Sequence, residues 1–320
     1  MVLETRRRLV QGALLAALAP RLARSHDAAP ARASGPGSTA EEVTRGLDLG
    51  GRTAVVTGCN SGIGYETMRV LALRGAHVIG TARSAEKGAA ACASVAGRAT
   101  PVVLELSDFD SVVACAERIE AMDVPVDMLV CNAGIVLGGL EQVRGLEKQF
   151  VVNHLGHFLL VRRLLARVLA APQGRVVVLG SGDHARAPEG GIQFGRLSGE
   201  GWADRGYSHS KLANGLFSLE LAHRLAGTGA TSNCVTPGHT RTDILRSVGD
   251  GYRADAQTPA QGAATPCYVA THPALARVSG TYFRDCAPAQ PSALQTDRAM
   301  AARLWQVSEE LVRGFLGPAA

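Results

Sequence analysis

A tyrosine and a lysine four positions apart, Tyr207 and Lys211, are the residues of this sequence best suited to transfer a proton. They lie in a segment of helical period, so their side chains share one face. A phenol, with an ordinary pKa of about 10, is a poor acid or base at neutral pH, but a neighbouring ammonium group lowers that pKa. Such pairs also occur by chance on solvated helices. Ser181 favours the catalytic interpretation, because it follows a predicted strand at the sheet edge where α/β sites form.

A second feature is the glycine-rich run from Thr57 to Gly64, TGCNSGIG, which joins a predicted strand to a predicted helix. Gly58 allows a tight turn, Gly62 lets the backbone approach a diphosphate, and Gly64 permits close helix–strand packing. The phosphates then face N–H groups at the helix N-terminus. Strand, turn and helix together predict a dinucleotide site rather than a purely structural turn. The predicted contacts in this run are Gly58, Asn60, Ser61, Gly62, Ile63 and Gly64.

From about residue 47 onward, apolar runs rich in β-branched residues alternate with segments of helical period. The predicted strands are Thr53–Thr57, His77–Thr81, Pro101–Leu106, Met128–Cys131, Val176–Leu179, Ser232–Val235 and Thr281–Phe283. The predicted helices span about 62–74, 85–95, 109–121, 142–170, 207–226, 259–271 and 298–313. Strands that are apolar on both faces and alternate with helices form a parallel sheet covered on both sides. The sequence therefore predicts an α/β fold with a doubly wound, parallel, seven-stranded Rossmann-type sheet in a single domain, residues 47–320.

Several motifs follow one another along this domain. The glycine run has the spacing TGxxxGxG, and after it come the segment Asn132, Ala133 and Gly134, then Asn153, Ser181, the YxxxK pair Tyr207 and Lys211, and Pro237–Thr242 (PGHTRT). In this order the motifs resemble those of the short-chain dehydrogenase/reductase family. Three stretches are most similar to its retinol-dehydrogenase-like branch: Asn153–Phe158, Ser210–Asn214 and Leu304–Glu310. The resemblance covers about residues 50–313.

The resemblance implies hydride transfer between a nicotinamide cofactor and a carbonyl or alcohol group. Tyr207 then gives a proton to the nascent alkoxide or takes one from the alcohol, and Ser181 hydrogen-bonds the substrate oxygen. Lys211 holds the nicotinamide ribose and lowers the pKa of Tyr207, while Asn153 supports a water chain that leads to Lys211. The further cofactor contacts that the resemblance implies are Asn132, Ala133, Gly134, Tyr207, Lys211, Pro237, Gly238, Thr240 and Thr242.

The end of the second strand bears on the choice of cofactor. It reads Ala82 then Arg83, without the acid that would bind the ribose hydroxyls of NAD. Arg83 offers a permanently charged, planar fork that matches a phosphate, although an arginine here could also be only a solvated charge. We therefore predict NADP(H) in preference to NAD(H). The resemblance also implies an adenine contact after the third strand, where this chain offers Glu105 and Leu106, or Asp108 slightly later.

Residues 1–46 differ in composition from the rest. Six arginines and two acids within residues 1–33 account for +4 of the net charge of +5. Arg6 and Arg7 before a short apolar run are typical of a twin-arginine export signal, and an uncleaved basic helix is the alternative. The location therefore stays open between export and the cytoplasm. Residues 27–40, rich in Ala, Pro, Gly and Ser, predict a flexible linker.

Other function classes are disfavoured. Because the basic excess lies in the leader, the domain gives no argument for binding nucleic acid. No stretch approaches the roughly 20 apolar residues of an integral membrane span. No cluster has metal-ligand spacing, so no metal is predicted. The seven cysteines are scattered without a CxxC pair, and we expect most to be reduced core residues.

Residues 183–206 and 243–258 are expected to form the substrate pocket. Their apolar members are Ile192, Phe194, Leu197, Trp202, Ile244, Leu245, Val248 and Tyr252. They predict a small hydrophobic ketone, aldehyde or alcohol as substrate. Two other functions stay open: an NADPH-dependent reductase of C=C bonds in enones or rings, and a non-catalytic NADP(H)-binding sensor. The resemblance also implies a possible homo-oligomer, paired through the long helices that hold Asn153 and Tyr207.

Overall fold

A computed structural model of the chain describes residues 34–202, 204–244 and 255–317, which form a single domain. Its strands are β1 (Thr53–Val56), β2 (His77–Ala82), β3 (Arg98–Val103), β4 (Met128–Cys131), β5 (Gln142–Val143), β6 (Leu146–Glu147), β7 (Arg175–Leu179), β8 (Thr231–Thr236), β9 (Tyr282–Arg284) and β10 (Ala287–Pro288). Its α-helices are α1 (Ala40–Val43), α2 (Gly62–Leu73), α3 (Ala85–Ala93), α4 (Phe109–Glu120), α5 (Lys148–Phe150), α6 (Gly156–Ala170), α7 (Gly206–Arg224), α8 (Pro259–Gly262), α9 (Ala264–Thr271) and α10 (Arg298–Leu311).

The main sheet has the strand order β10-β9-β8-β7-β4-β1-β2-β3. Seven of these strands are parallel, which confirms the predicted doubly wound Rossmann-type sheet. The short β10 pairs antiparallel with β9 and adds an eighth strand that the sequence did not predict. The chain starts at the central β1 and winds outward in both directions. The crevice for ligands therefore lies at the carboxyl ends of β1 and β4, where the strand order reverses.

Helices cover both faces of the sheet because the strands are apolar on both sides. On one face α4, α6, α7 and α10 pack on residues such as Val55 and Leu129. On the other face α2, α3 and α9 pack on the alternate strand residues, such as Val56 and Val130. All seven cysteines are buried and have free thiols. The predicted alternation of strands and helices thus produces a two-sided core.

The segment 142–170 differs from the single helix that the sequence predicted. Residues 142–147 instead form the β5–β6 hairpin, with Arg144 and Gly145 at positive φ of 56° and 75° as a two-residue hairpin turn requires. The helix that follows is interrupted by one π-helical turn, Val151–Leu155, between α5 and α6. Such turns are rare inside helices and frequent at functional sites.

The domain begins before residue 47, contrary to the predicted boundary. Helix α1 has a capping box formed by Thr39 and Glu42, and its Ala40 and Val43 are buried against residues of α2 and α9. Residues 39–46 therefore belong to the domain rather than to the linker. The predicted leader, residues 1–33, lies outside the described residues.

Helix α10 closes the face that carries α6 and α7. Its Trp305, 2% exposed, packs edge-on against Phe158 of α6 and stacks on Phe217 of α7. Removing a buried aromatic side chain of this kind costs roughly 3–5 kcal/mol, so α10 is part of the core. Pairing of copies through α6 and α7 stays a prediction, and α10 covers part of that surface. Within the described residues, no helix is long and apolar enough to span a bilayer.

Candidate functional site

Ser181 and Tyr207 meet at the carboxyl end of β7. Ser181 follows that strand by two residues, and its Oγ accepts a 3.2 Å hydrogen bond from the backbone N–H of Asp183. Tyr207 lies in the first turn of α7. Burial raises the pKa of its phenol to about 12, and a hydrogen bond to the Ser181 side chain opposes that rise. The hydroxyl of Tyr207 is therefore protonated at neutral pH in this structure.

Lys211 lies one helical turn beyond Tyr207, on the same side of α7. Its Nζ donates a 3.0 Å hydrogen bond to the carbonyl oxygen of Leu179, the last residue of β7. Burial lowers the pKa of Lys211 to about 8. The pKa of Tyr207 is raised overall rather than lowered as the sequence predicted, because the desolvation of the phenol is the largest contribution.

Asn153 lies in the π-helical turn and is fully buried. Its Oδ1 accepts from the backbone N–H of Ile135 at 2.8 Å, and its Nδ2 donates to the Ile135 carbonyl at 3.0 Å. The same Nδ2 donates to Ser210 Oγ at 2.9 Å, and Ser210 in turn donates to the carbonyl of Tyr207. Asn153 thus connects the segment after β4 with the start of α7.

Gly134 brings the asparagine and the lysine to one point. A Cβ placed on Gly134 would lie 3.2 Å from Asn153 Oδ1 and 3.6 Å from Lys211 Nζ. The four predicted catalytic residues are therefore neighbours, since Lys211 also lies beside Tyr207, which bonds to Ser181.

The glycine run folds as a turn that leads directly into α2. Gly58 and Gly62 have positive φ of 73° and 59°. A Cβ on Gly64 would collide with the carbonyl of Gly58 and the side-chain amide of Asn132, so only glycine fits there. Ser61 precedes the helix but makes no side-chain capping bond. Asn60 and Ser61 are exposed, while Gly62 and Ile63 are half-buried.

Thr57, which was not among the predicted contacts, joins the glycine run to the end of β4. Its Oγ1 accepts the backbone N–H groups of Asn132 and Ala133, each at 2.9 Å. The Asn132 side chain donates to the carbonyl of Thr57 at 2.7 Å. The predicted contacts at residues 132–134 and at 58–64 therefore form one continuous wall. The signal was present in the sequence, because Thr57 is the first residue of the motif.

Pro237–Thr242 reaches the same wall from the other side. A Cβ on Gly62 would lie 3.0 Å from the methyl carbon of Thr242, so Thr242 contacts the glycine run. Gly238 has a positive φ of 76°, and Thr240 forms a bridge with Gln257. Of the predicted lid residues that follow, Ile244 is half-buried, and Leu245, Val248 and Tyr252 lie outside the described residues.

The residues predicted to contact the adenosine end lie at the carboxyl ends of β2 and β3. The Arg83 side chain is 78% exposed, and its Nη1 lies 4.0 Å from Glu105 Oε2. Ion pairs between side chains this exposed contribute little to stability. Asp108 caps α4, and the Leu106 side chain is buried beneath Gly156. Arg83 and Asp108 are exposed at this edge and Glu105 is half-buried, whereas Leu106 can reach a ligand only through its backbone.

The loop after Ser181 differs from the apolar lid that the sequence predicted. Ile192, Leu197 and Trp202 are buried in the domain core rather than lining an open pocket. Trp202 stacks on His209 at 3.8 Å between ring centroids. His184 uses both ring nitrogens, on the Ser181 carbonyl and on the backbone N–H of Ser292.

An apolar surface beside the site comes instead from residues 135–137, which the sequence analysis did not select. Ile135, Val136 and Leu137 follow Gly134 and are all half-buried. Asn153 holds the backbone of Ile135, and Gln149 Oε1 accepts from the N–H of Leu137 at 3.0 Å. In the part of the chain that the structure describes, no group of three or more His, Cys, Asp or Glu could hold a metal ion.

Comparisons with known proteins bear on this site. A family model described as short chain dehydrogenase matches residues 52–253. The WW domain-containing oxidoreductase of Gallus gallus is 37% identical over 300 residues, 88% of this chain and 72% of that protein. Retinol dehydrogenase 11 of Mus musculus is 38% identical over 283 residues, 84% of this chain and 89% of that protein. The crystal structure of an uncharacterised protein from Mycobacterium paratuberculosis matches with a TM-score of 0.72 and 32% identity, over 87% of this chain and 98% of that one.

Proposed function

Because this chain belongs to the short-chain dehydrogenase/reductase family and is an NAD(P)-dependent oxidoreductase acting on CH–OH groups, we propose that it transfers a hydride between NADP(H) and a hydrophobic ketone, aldehyde or alcohol. Tyr207 is the acid/base of this reaction. The observation that carries the proposal is that the catalytic residues lie together at the carboxyl end of β7: Lys211 Nζ bonds to the Leu179 carbonyl and lies 5.5 Å from the Tyr207 ring, and the Ser181 side chain is close enough to influence the pKa of Tyr207. Two hydroxyl groups placed this way can both bind one substrate oxygen.

In ketone reduction, each residue of the site has a separate role. The Tyr207 hydroxyl donates its proton to the substrate oxygen, and Ser181 donates a hydrogen bond to the same oxygen as charge develops there. A phenol with a pKa of about 12 is protonated at neutral pH, which suits proton donation. Lys211, which is charged below its pKa of about 8, stabilises the phenolate that is left behind. The nicotinamide, when bound, supplies the hydride.

The glycine run fits the diphosphate of such a cofactor. Gly58 and Gly62 present backbone without side chains, and Ser61 does not cap the first turn of α2. N–H groups at that helix start then face the phosphates. We assign the cofactor contacts to residues 58–64, 132–134 and 237–242, with Lys211 on the nicotinamide ribose. Asn153 orders the water chain that leads to Lys211.

The preference for NADP(H) rests on Arg83. Its guanidinium is exposed at the carboxyl end of β2, where the adenosine ribose is bound in sheets of this topology. Glu105 lies beside it, so a 2′-phosphate would take the place of a weak ion pair on the same guanidinium. Arginine offers two parallel donors to a phosphate, and ribose hydroxyls cannot use its charge.

The preference for an apolar substrate rests on Ile135, Val136 and Leu137. These half-buried side chains follow Gly134, and Asn153 holds the backbone of Ile135 beside the catalytic residues. Burying apolar area of the substrate against them contributes about 25 cal/mol per Å².

The experiment that tests the function is NADPH oxidation with a panel of apolar ketones and aldehydes, with NADH in parallel. We expect turnover with NADPH, and a fall of roughly 10²–10⁴-fold in Tyr207→Phe while the Kd for NADPH stays unchanged. Tyr268→Phe, at a half-buried tyrosine of α9, is the matched control and should keep full activity.

Product analysis separates the other functions. A saturated C=C bond in the product would replace carbonyl reduction by enone or ring reduction. Tight NADPH binding without turnover of any carbonyl or enone would indicate a sensor instead. Either result would contradict the proposal.

A further inference from the structure

His157 connects the two halves of the site through its two ring nitrogens. It lies in the first turn of α6 and is buried. Its Nδ1 is 3.0 Å from the carbonyl oxygen of Asn153, four residues earlier. Its Nε2 is 2.9 Å from Thr57 Oγ1, one hundred residues away in the chain.

The partners of Thr57 decide which histidine nitrogen carries the proton. Thr57 Oγ1 already accepts the N–H groups of Asn132 and Ala133, which occupy both acceptor positions of a hydroxyl. Its one proton is therefore available for donation, and His157 Nε2 at 2.9 Å is a much better acceptor than the Val130 carbonyl at 3.5 Å. Nε2 accepts, so the ring proton is on Nδ1 and is donated to Asn153.

The surroundings keep the ring in this neutral form. Burial lowers the pKa of His157 to about 4, and the nearby charge of Lys211 lowers it further. The hydrogen bond to the Asn153 carbonyl opposes this shift. At neutral pH the imidazole is a fixed donor on one side and a fixed acceptor on the other.

We propose that His157 is a positioning residue that couples the cofactor wall, through Thr57, to Asn153 and the start of the catalytic helix. This inference rests on the proposed function. On the Thr57 side it holds the hydroxyl that orients the backbone of Asn132 and Ala133. On the Asn153 side it holds the carbonyl of a residue whose side chain bonds to Ile135 and Ser210.

The π-helical turn explains why such a bond is needed. The turn breaks the regular hydrogen-bond ladder at the residue whose side chain must be placed most accurately. A side-chain donor from the following α6 fixes its carbonyl. Small movements of Asn153 would otherwise reach Tyr207 through Ser210, because Ser210 Oγ bonds to both.

His154 is a matched control three residues away on the same buried face. It is also buried, and burial lowers its pKa to about 3. Its Nε2 is also 2.9 Å from a hydroxyl, but from that of Ser308 in α10 rather than that of Thr57. Its replacement should disturb packing as much as that of His157 without touching the site.

The test compares His157→Asn and His157→Gln with His154→Asn and His154→Gln in the full-length protein. An asparagine amide can take the place of Nδ1, so that variant keeps the bond to the Asn153 carbonyl and loses the bond to Thr57. A glutamine amide can take the place of Nε2, so that variant keeps the bond to Thr57 and loses the bond to Asn153. We expect His157→Asn to keep kcat within about threefold and to weaken the Kd for NADPH about tenfold, since the loss of a hydrogen bond worth about 1.4 kcal/mol changes an equilibrium by that factor. We expect His157→Gln to keep the Kd within about threefold and to lower kcat about tenfold.

Thermal unfolding of the His154 and His157 variants distinguishes a positioning role from a purely structural one. If His154 variants of similar Tm change kcat and Kd to the same extent, or if both His157 variants lose the two parameters together, the assignment of one side of the site to each ring nitrogen is refuted. The Kd is read by NADPH fluorescence without turnover. A wild-type protein that reduces no carbonyl would refute the proposed function, while the effect of His157→Asn on NADPH binding would still test the Thr57 connection.

Discussion

The Lys211 ammonium lies 5.5 Å from the centre of the Tyr207 ring, and its hydrogen bond to the Leu179 carbonyl holds it there. The two groups have pKa values displaced in opposite directions by the same cause. Burial disfavours the charged form of each, so the pKa of Tyr207 rises to about 12 and that of Lys211 falls to about 8. The resting pair is therefore a neutral phenol beside a lysine whose charge is lost in mildly alkaline solution.

This pair sets the pH dependence of the reaction. We expect the kcat for ketone reduction to be nearly constant from about pH 6 to 8 and to fall above the Lys211 pKa of about 8, where the ammonium no longer stabilises the phenolate. Alcohol oxidation requires the phenolate and should accelerate as the pH rises. Lys211→Met should lose the alkaline fall in reduction along with most activity. Persistence of that fall in the variant would assign it to another group. Pre-steady-state rates of reduction and oxidation, measured across this pH range, test the prediction.

Arg83→Ala should change cofactor preference. A lost charge-assisted hydrogen bond of about 1.5–3 kcal/mol would weaken the Kd for NADPH by roughly 10–100-fold and leave that for NADH within about twofold. Fluorescence titration of both cofactors measures this. Arg98→Ala, at the amino end of β3, is the control for removing an exposed arginine elsewhere. Equal losses of affinity for NADPH and NADH would contradict a contact between Arg83 and the 2′-phosphate.

Gly64→Ala should damage the fold and the cofactor site together. The added Cβ meets the Gly58 carbonyl and the Asn132 amide, and overpacking of this kind costs about 1–3 kcal/mol of unfolding free energy. The shift of either group would also displace the glycine run, so NADPH binding should be lost. Gly139→Ala has no atom within 4 Å of the new Cβ and should leave both quantities unchanged. Urea unfolding and NADPH titration test the pair of variants.

Four histidines are buried among the described residues, and three of them, on α7 and in or beside the π-helical turn, should make the protein sensitive to acid. Burial lowers the pKa of His154 to about 3, of His157 to about 4 and of His209 to about 3. The unfolded chain takes up protons below about pH 6.5, and the folded one does not. The stability present above that pH is therefore lost as the pH falls toward 4, by about 1.4 kcal/mol per pH unit for each histidine.

Urea unfolding at pH 7.5 and pH 5 measures this loss. His154→Gln should reduce the dependence on pH, and His223→Gln, at an exposed position of α7, should not. An equal response of both variants would place the acid sensitivity elsewhere.

The fold could be predicted from the sequence because strands that are buried on both faces appear in it as apolar runs. Met128–Cys131 was predicted with the bounds that the structure shows. The edge strand β3 was predicted three residues late, because its first residues, Arg98, Ala99 and Thr100, do not form an apolar run and pair with β2 through the backbone. The β5–β6 hairpin was not predicted because it lies in a segment of largely helical apolar period, and residue types alone do not show that Arg144 takes a positive φ.

The candidate site was predictable in its residues but not in its electrostatics. Spacing indicated Tyr207 and Lys211, yet the direction of the Tyr207 pKa shift depends on how deeply the phenol is buried, which spacing does not contain. The apolar residues of the loop after Ser181 were assigned to the substrate, whereas Trp202 stacks on His209 within the core. Apolar character alone cannot distinguish a side chain that lines a pocket from one that packs beneath it.

The position of α10 has a practical consequence for fragments of this protein. The family model ends at residue 253, but Trp305, which packs on Phe158 and Phe217, comes some fifty residues later. Strand β9 also lies after residue 253. A recombinant chain cut at that boundary would expose an aromatic seam and an unpaired β8 edge, both of which promote aggregation. Expression trials should therefore retain the sequence through Leu311, and a protease that nicks the chain ahead of Asp297 should inactivate it by unfolding.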